Sequence, residues 1–261
     1  GTIWLSSSDK GLISFRDGRF SLFSGQDAVG TKRCGQLYYD KPRDYLYLGT
    51  SGNGFSIIDA SDGEVLRTVC DDFSKWNTAF TVSEDGTLWV GTVNGICKYD
   101  FVSQSLVHVK LNCVHGNSRI YTLTTTTDGK VMAGCTQGLV EFDPTLGHAV
   151  LYTTEDGLSE NAVMGIVEDD DGSFWISTMG GLNNLSRDRK TFRRYYQNDG
   201  LQDNHFSSNA CFKDEDGKMY FGGIKGLTSF KTGAGDMREH ITQKVFFTSL
   251  SVGGKVIEYD D

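Results

Sequence analysis

One motif recurs six times along the 261 residues and leaves few folds open. A clear copy runs Asp85-Gly86-Thr87-Leu88-Trp89-Val90-Gly91-Thr92, followed by Gly95-Ile96. A second runs Asp171-Gly172-Ser173-Phe174-Trp175-Ile176-Ser177-Thr178, followed by Gly181-Leu182. Between them lies Asp128-Gly129 with Met132 at its centre and Gly138-Leu139 behind it. After them comes Asp216-Gly217 with Tyr220 and then Gly226-Leu227. Earlier copies centre on Tyr47, with Gly54-Phe55, and on Trp4, with Gly11-Leu12. The central large residue thus falls at 4, 47, 89, 132, 175 and 220, at spacings of 43, 42, 43, 43 and 45. A period in the low forties, built from short strands, is the pattern of β-propeller blades.

The third copy resolves into four strands. Asn77 to Ser83 alternates and stops at Asp85-Gly86, a strong two-residue hairpin turn. Thr87 to Thr92, Gly95 to Asp100 and Ser105 to Lys110 follow. The central residues are expected between neighbouring blades, where the glycine of each Gly-Thr pair lets backbones approach. The 32 glycines against two prolines suit tight turns, and no stretch carries helical periodicity with caps. The expected fold is an all-β propeller of six four-stranded sequence repeats, with residues 1–233 as blades. Residues 234–261 form a linker and a strand over Val245–Val252, either the outer strand of blade six or the start of another domain. The first copy opens at the glycine of its hairpin turn, so the chain is expected to begin inside a blade. A closed six-membered ring and an arc of a seven-bladed parent both stay open.

The unit Asp-Gly-x-x-Trp-x-Gly-Thr-x-x-Gly-Leu resembles the two-component regulator propeller repeat. The run Glu155-Asp156-Gly157-Leu158-Ser159-Glu160-Asn161-Ala162-Val163 is similar to that family's link between blades. Asp199 to Phe230 looks like its final blade, and Phe247 to Lys255 like the start of the β-sandwich that follows. Two copies depart from the pattern: Arg43-Asp44 stands for the Asp-Gly turn, and Met132 for the aromatic. The resemblance implies the periplasmic sensor region of a Bacteroides-type hybrid histidine kinase, part of an inner-membrane protein. Such sensors respond to glycan breakdown products. The implied partners are an oligosaccharide or other small ligand, the remainder of the sensor protein and a second copy in a homodimer.

Composition narrows the alternatives. The net charge of −9 argues against a nucleic-acid partner. No apolar run reaches the ~18–20 residues of a membrane span, and with charges at Asp9, Lys10, Arg16, Asp17 and Arg19 no signal peptide is expected within these residues; any export signal or membrane anchor is expected outside them. No His-Glu-x-x-His motif or Gly-x-Ser-x-Gly elbow occurs, and the five histidines lack ligand spacing, so no metal, cofactor or catalytic residue is expected. The acidic runs Glu168–Gly172 and Asp214–Gly217 fail the EF-hand spacing and occupy hairpin slots, as solvated turns. Ser83 to Trp89 resembles the Asp-box of sialidases, itself a structural turn. The six cysteines show no Cys-x-x-Cys pair and are expected as free, mostly buried thiols. The function expected is therefore non-catalytic ligand sensing; the alternatives are a polysaccharide-degrading enzyme and a protein-interaction scaffold.

Propellers carry function on loops at one end of the central channel. The loops entering each inner strand supply Arg33, Trp76, Arg119, Asn161 and His205, the expected ligand-binding set. Trp76 is the one tryptophan outside the central slot, and an indole suits sugar stacking. Arg33 and Arg119 suit a carboxylate. The loops between second and third strands add Lys10, Asn53, Asn94, Gln137 and Lys225 at the same end. Each of these residues has an ordinary exposed-loop explanation as well, and Trp76 could plug a gap between loops.

Overall fold

The computed structural model describes residues 1–23, 25–30, 33–116, 118–232, 250–252 and 255–257. It is an all-β six-bladed propeller. Blade 1 holds β1 (Ile3–Ser7), β2 (Gly11–Arg16) and β3 (Arg19–Leu22). Blade 2 holds β4 (Cys34–Asp40), β5 (Tyr45–Thr50), β6 (Phe55–Asp59) and β7 (Val65–Val69). Blade 3 holds β8 (Asn77–Val82), β9 (Leu88–Thr92), β10 (Gly95–Asp100) and β11 (Ser105–Val109). Blade 4 holds β12 (Ile120–Thr125), β13 (Val131–Cys135), β14 (Leu139–Asp143) and β15 (His148–Tyr152). Blade 5 holds β16 (Val163–Glu168), β17 (Phe174–Thr178), β18 (Gly181–Leu185) and β19 (Phe192–Tyr195). Blade 6 holds β20 (Phe206–Lys213), β21 (Lys218–Gly223) and β22 (Gly226–Lys231). Each blade is an antiparallel sheet with strands in chain order. β23 (Leu250–Val252) pairs with β24 (Lys255–Ile257) in a separate hairpin. The rest of the strand expected over Val245–Val252, and the linker before it, lie outside the described residues. Helix among the described residues is confined to Gln26–Val29 and a 3-10 turn at Gln197–Asp199.

The repeat has a physical reason at each position. In the hairpin turn the aspartate accepts a backbone N–H two residues on, from Thr87 to Asp85 at 2.9 Å and from Ser173 to Asp171 at 2.8 Å. The glycine behind takes a left-handed φ, +81° at Gly86; in blade 2 Asp44 takes it instead at +56°. The central aromatic turns its polar tip back to its own hairpin: Trp89 Nε1 donates to Ser83 Oγ at 2.9 Å, and Tyr47 Oη to Asp40 Oδ2 at 2.7 Å. Its ring packs on the next blade, Trp89 edge-on to Phe142 and Tyr47 against Phe80. The threonine of Gly-Thr closes the next turn. Thr92 Oγ1 donates to Gly95 O and accepts from Asn94 N, both at 3.0 Å; Thr178 does the same with Gly181 and Gly180. The glycine before it is a contact point between blades. A Cβ on Gly134 would lie 2.6 Å from Val163 Cγ1, and one on Gly91 2.8 Å from Ile120 Cγ2. Blade 5 inverts this arrangement: Ser177 stands at the glycine position, and Gly165 makes room for it on β16.

The cores lie between blades. Five clusters of buried apolar side chains fill the five interfaces from blades 1 and 2 to blades 5 and 6. Each buried Leu, Ile, Val or Phe contributes about 1.5–3 kcal/mol, so these interfaces carry most of the stability. Beyond them, Ile3, Leu5, Phe20 and Leu22 on blade 1, and Phe212, Ile224 and Leu227 on blade 6, are exposed. Ile3, Phe15 and Phe20 are direct cross-strand partners, as are Leu5, Ile13 and Leu22, so they share one face of blade 1.

Candidate functional site

The inner strands β4, β8, β12, β16 and β20 lie side by side around the axis. Where each begins, one backbone hydrogen bond recurs. The residue after the second strand donates its N–H to the carbonyl just before the inner strand. The pairs are Ser51 to Arg33 at 2.9 Å, Val93 to Trp76 at 3.2 Å, Thr136 to Arg119 at 3.2 Å, Met179 to Ala162 at 3.1 Å and Ile224 to His205 at 3.4 Å. Arg33, Trp76, Arg119 and His205 therefore hold equivalent positions in blades 2, 3, 4 and 6. Asn161 sits one residue earlier, where Ala162 holds the position in blade 5.

The side chains differ in what holds them. Trp76 is 46% exposed, which removes it from the core. Its backbone bridges to Ser51 of blade 2, and a Cβ on Gly52 would lie 3.9 Å from its Cζ2. Since Ser51 also binds the Arg33 carbonyl, Arg33 and Trp76 flank one residue. The Arg119 guanidinium lies 5.6 Å over the Tyr121 ring, a cation–π contact. Asn161 Oδ1 accepts from Thr154 N at 2.8 Å, which ties it to its own loop. His205 N donates to Asp203 Oδ1 at 3.1 Å. Asp203 Oδ2 meets Lys225 Nζ at 2.6 Å, and that contact holds the carboxyl below its usual range.

The second loop set serves mainly as staples. Asn53 Nδ2 donates to Val29 O at 2.7 Å, and Asn94 Nδ2 to Phe73 O at 3.1 Å. Gln137 donates to His115 O and accepts from His115 N. Each fastens a turn between second and third strands to the loop feeding its own blade.

Beneath the mouth, every inner strand bulges at the same level against its second strand. In blades 2 to 5 two residues oppose one; in blade 5, for instance, Val163 pairs with Thr178 and Gly165 with Ser177. In blade 6 Phe206 pairs with Gly223 and Cys211 with Phe221, so four residues oppose Gly222. Ser208 Oγ donates to Tyr121 O of blade 4 at 2.8 Å, and Asn209 Nδ2 to Gln36 Oε1 of blade 2 at 3.0 Å. Sequence reasoning missed this, although its signal was present. The spacing from Trp175 to Tyr220 is 45 where its neighbours are 43, and the two additional residues are those of the larger bulge.

Two hollows lie outside the ring of loop-entry residues, one at the hairpin turns and one beside the loops that carry Asn94 and Arg119. A cleft of about 570 Å³ at the hairpin turns of blades 4 to 6 holds the acidic run 168–171. These are not merely solvated turns. Glu168 accepts from Thr127 N and Oγ1 of blade 4, and Asp170 pairs with Lys213 of blade 6 at 2.7 Å. Among the described residues no group of three or more His, Cys, Asp and Glu could hold a metal ion. A smaller hollow of about 340 Å³ between blades 3 and 4 is walled by Phe73 and His108, whose ring centroids are 4.0 Å apart. The six cysteines, all among the described residues, form no disulfide; Cys34, Cys97 and Cys135 are buried and Cys70 is exposed. Burial pushes Cys97 up to about 12 and Cys211 up to about 11.

Residues 157–180 match the family model described as two component regulator propeller. Over 76 residues the chain is 32% identical to histidine kinase P4 of Formosa agariphila, which is 29% of this chain and 6% of that protein. Its fold matches the extracellular domain of the hybrid two-component system BT3049 of B. thetaiotaomicron, with a TM-score of 0.79 at 20% identity. That match covers 99% of this chain and 37% of the other. The extracellular domain of BT4673 matches at TM-score 0.70 and 21% identity, over 90% of this chain and 31% of the other. Virginiamycin B lyase from Staphylococcus aureus also matches, at TM-score 0.61 and 14% identity, over 77% and 70% of the two chains. The chain thus spans well under half of the two-component relatives it resembles. It carries the two-component regulator propeller repeat, set in a six-bladed propeller with the fold of the extracellular domains of Bacteroides hybrid two-component systems.

Proposed function

We propose that this chain is the extracytoplasmic, non-catalytic sensing propeller of a hybrid two-component signalling protein, and that it binds glycan breakdown products at the mouth of its channel. The periplasm is its compartment, and the remainder of the sensor protein is its partner. The observation that carries the site is the recurring backbone bond that sets Arg33, Trp76, Arg119 and His205 in equivalent places of four blades. An exposed indole provides a stacking face for a sugar ring, and two guanidinium groups provide forked donors for a uronate or sialate carboxylate. Asn161 contributes by holding its loop. The lyase match is a reminder that the fold also serves enzymes, so function rests on the site and not on the architecture.

A thermal-shift screen with acidic and neutral oligosaccharides tests this reading. A ligand at a hundred times its dissociation constant adds about 2.7 kcal/mol, or roughly 5–10 °C in melting temperature. Trp76→Ala is expected to abolish that shift while leaving the unliganded melting point nearly unchanged. A loss of several degrees without ligand would make Trp76 a packing residue and remove it from the site. Turnover of a glycan in the same screen would overturn the non-catalytic assignment.

A further inference from the structure

The hollow of about 340 Å³ between blades 3 and 4 has a wall whose parts are fixed by their own bonds. Both blades carry four strands and pack a neighbour on each side, so the outermost blades take no part in it. In the loop that feeds blade 3, Asp71 Oδ1 accepts from Phe73 N at 3.0 Å and from Ser74 N at 2.6 Å, which closes a turn around Phe73. The other oxygen of Asp71 meets His108 Nε2 of β11 at 3.2 Å. Asn94 Nδ2 donates to Phe73 O at 3.1 Å, and a Cβ on Gly95 would lie 3.4 Å from Phe73 Cζ, so the ring rests on that turn. Phe73 and His108 thus stand as one aromatic wall, their rings tilted by 41°. The remaining lining is mostly apolar. Val109, Leu111 and Val114 pack on the core between blades 3 and 4, and Ile120 belongs to that core.

We propose that this hollow is a second binding site and that it takes a small aromatic carboxylic acid. None of Arg33, Trp76, Arg119 and His205 lines it, so it stands apart from the sensing site proposed above and either can fail without the other. Its volume falls at the lower end of the ~300–1,000 Å³ of small-molecule pockets, which suits one ring with a short arm. The polar groups decide the class. The Asn94 amide is spent on Phe73, and the buried Ser118 hydroxyl is hydrogen-bonded to Thr136 Oγ1 at 3.0 Å. His108 spends Nε2 on Asp71. A sugar ring carries hydroxyls around its whole rim and would leave most of them unpaired against Leu111, Val114 and Ile120, which is costly. A flat apolar ring has no such groups to leave unpaired, and it gains an aromatic contact with Phe73 and the imidazole. Charge sits at one place on the rim. Lys110 is exposed there, and among the described residues its ammonium meets no carboxylate. The net charge of −9 repels small anions in general, so an anion is held here only through a local cation. One cation at the edge of an apolar hollow complements one carboxylate at the end of an apolar body.

The test follows para-fluorocinnamate by fluorine NMR, with para-fluorocinnamyl alcohol as the same body without the charge. The proteins are the intact chain, Lys110→Glu, Val114→Phe and Trp76→Ala. A ligand of this size is expected to bind with a dissociation constant on the order of 1 mM or tighter, and the acid more tightly than the alcohol. Lys110→Glu replaces an attraction by a repulsion. It is expected to weaken the acid about five- to tenfold and to leave the alcohol within about twofold. Val114→Phe fills the hollow and is expected to remove both, while Trp76→Ala changes neither. Acid and alcohol that bind alike, in the intact chain and in Lys110→Glu, overturn the carboxylic acid as the ligand class. Binding that is lost in Trp76→Ala and kept in Val114→Phe overturns the hollow and leaves the sensing site standing. No shift or broadening of either probe at about ten times the expected constant overturns the site altogether. Should Val114→Phe lower the melting point by several degrees, Lys110→Glu on the exposed rim decides: the advantage of the acid over the alcohol disappears, as expected, or persists and overturns the proposal.

Discussion

The apolar residue behind the second glycine of the repeat meets two fates. In blades 1 to 5 it is Leu12, Phe55, Ile96, Leu139 and Leu182, each fully buried; in blade 6 it is Leu227, which is 60% exposed. The local sequence and strand pairing are alike, since Leu227 opposes Gly222 as Leu182 opposes Ser177. What differs is the neighbour: Leu182 lies against Phe206 and Phe221 of blade 6, and no described residue covers Leu227 in that way. The repeat therefore fixes where a side chain points, and the adjacent blade fixes what it contributes. The largest expected effect follows from this. Leu182→Ala should cost ~2–5 kcal/mol in urea unfolding, and Leu227→Ala less than about 0.5 kcal/mol. A loss of 2 kcal/mol or more at Leu227 would show that blade 6 is covered in solution, and would break the comparison.

The interface glycines sharpen the comparison at smaller scale. A methyl group on Gly134 would meet Val163 at 2.6 Å and its backbone carbonyl at 2.7 Å, and a carbonyl held in a sheet cannot give way. On Gly222 the nearest atom would be Ala210 Cβ at 3.1 Å, in the enlarged bulge. Gly134→Ala is expected to cost about 1–3 kcal/mol, and Gly222→Ala clearly less. Equal losses would mean that the bulge is as rigid as a regular strand. Thr178→Val comes next. It removes the bond to Gly181 O and the acceptor for Gly180 N while keeping the shape, at about 1 kcal/mol.

The parts of the fold legible in the sequence are those set by local chemistry. Asp85-Gly86 marked its hairpin because both residues act within the turn, and the strands of blade 3 lie within about a residue of their expected limits. The site was legible only as a set of loop positions. The Asn94 amide belongs to the loop set expected at the mouth, yet it fastens Phe73 O, 21 residues away. The exchange of Gly165 for Ser177 and the bond from Asn209 to Gln36 join residues whose proximity depends on how blades meet. A period describes one blade at a time and is silent on such pairs. A departure from the period is not silent: the 45-residue spacing carried the bulge in plain view.

The smallest expected effect asks whether the hairpin turns feel their place in the molecule at all. Asp85 of blade 3 and Asp214 of blade 6 are both held below the usual carboxylate range. The Thr87 N–H is the main cause for the first and the Lys218 N–H for the second. Asp171 of blade 5 is lowered chiefly by the Ser173 hydroxyl. A carboxyl depressed in the folded state stabilises it above the unfolded value of about 3.9 and loses that contribution as pH falls through the folded value. The melting temperature should therefore be nearly flat from pH 7 to pH 5 and fall below about pH 4. Asp85→Asn keeps an acceptor for Thr87 N but removes the charge, so its small deficit at pH 7 should vanish at low pH. Asp214→Asn should behave alike, because each turn is closed by its own backbone whether a neighbour covers the blade or not. A much larger pH-dependent loss at Asp85 than at Asp214 would mean that the adjacent blade acts on the turns as it acts on the leucines.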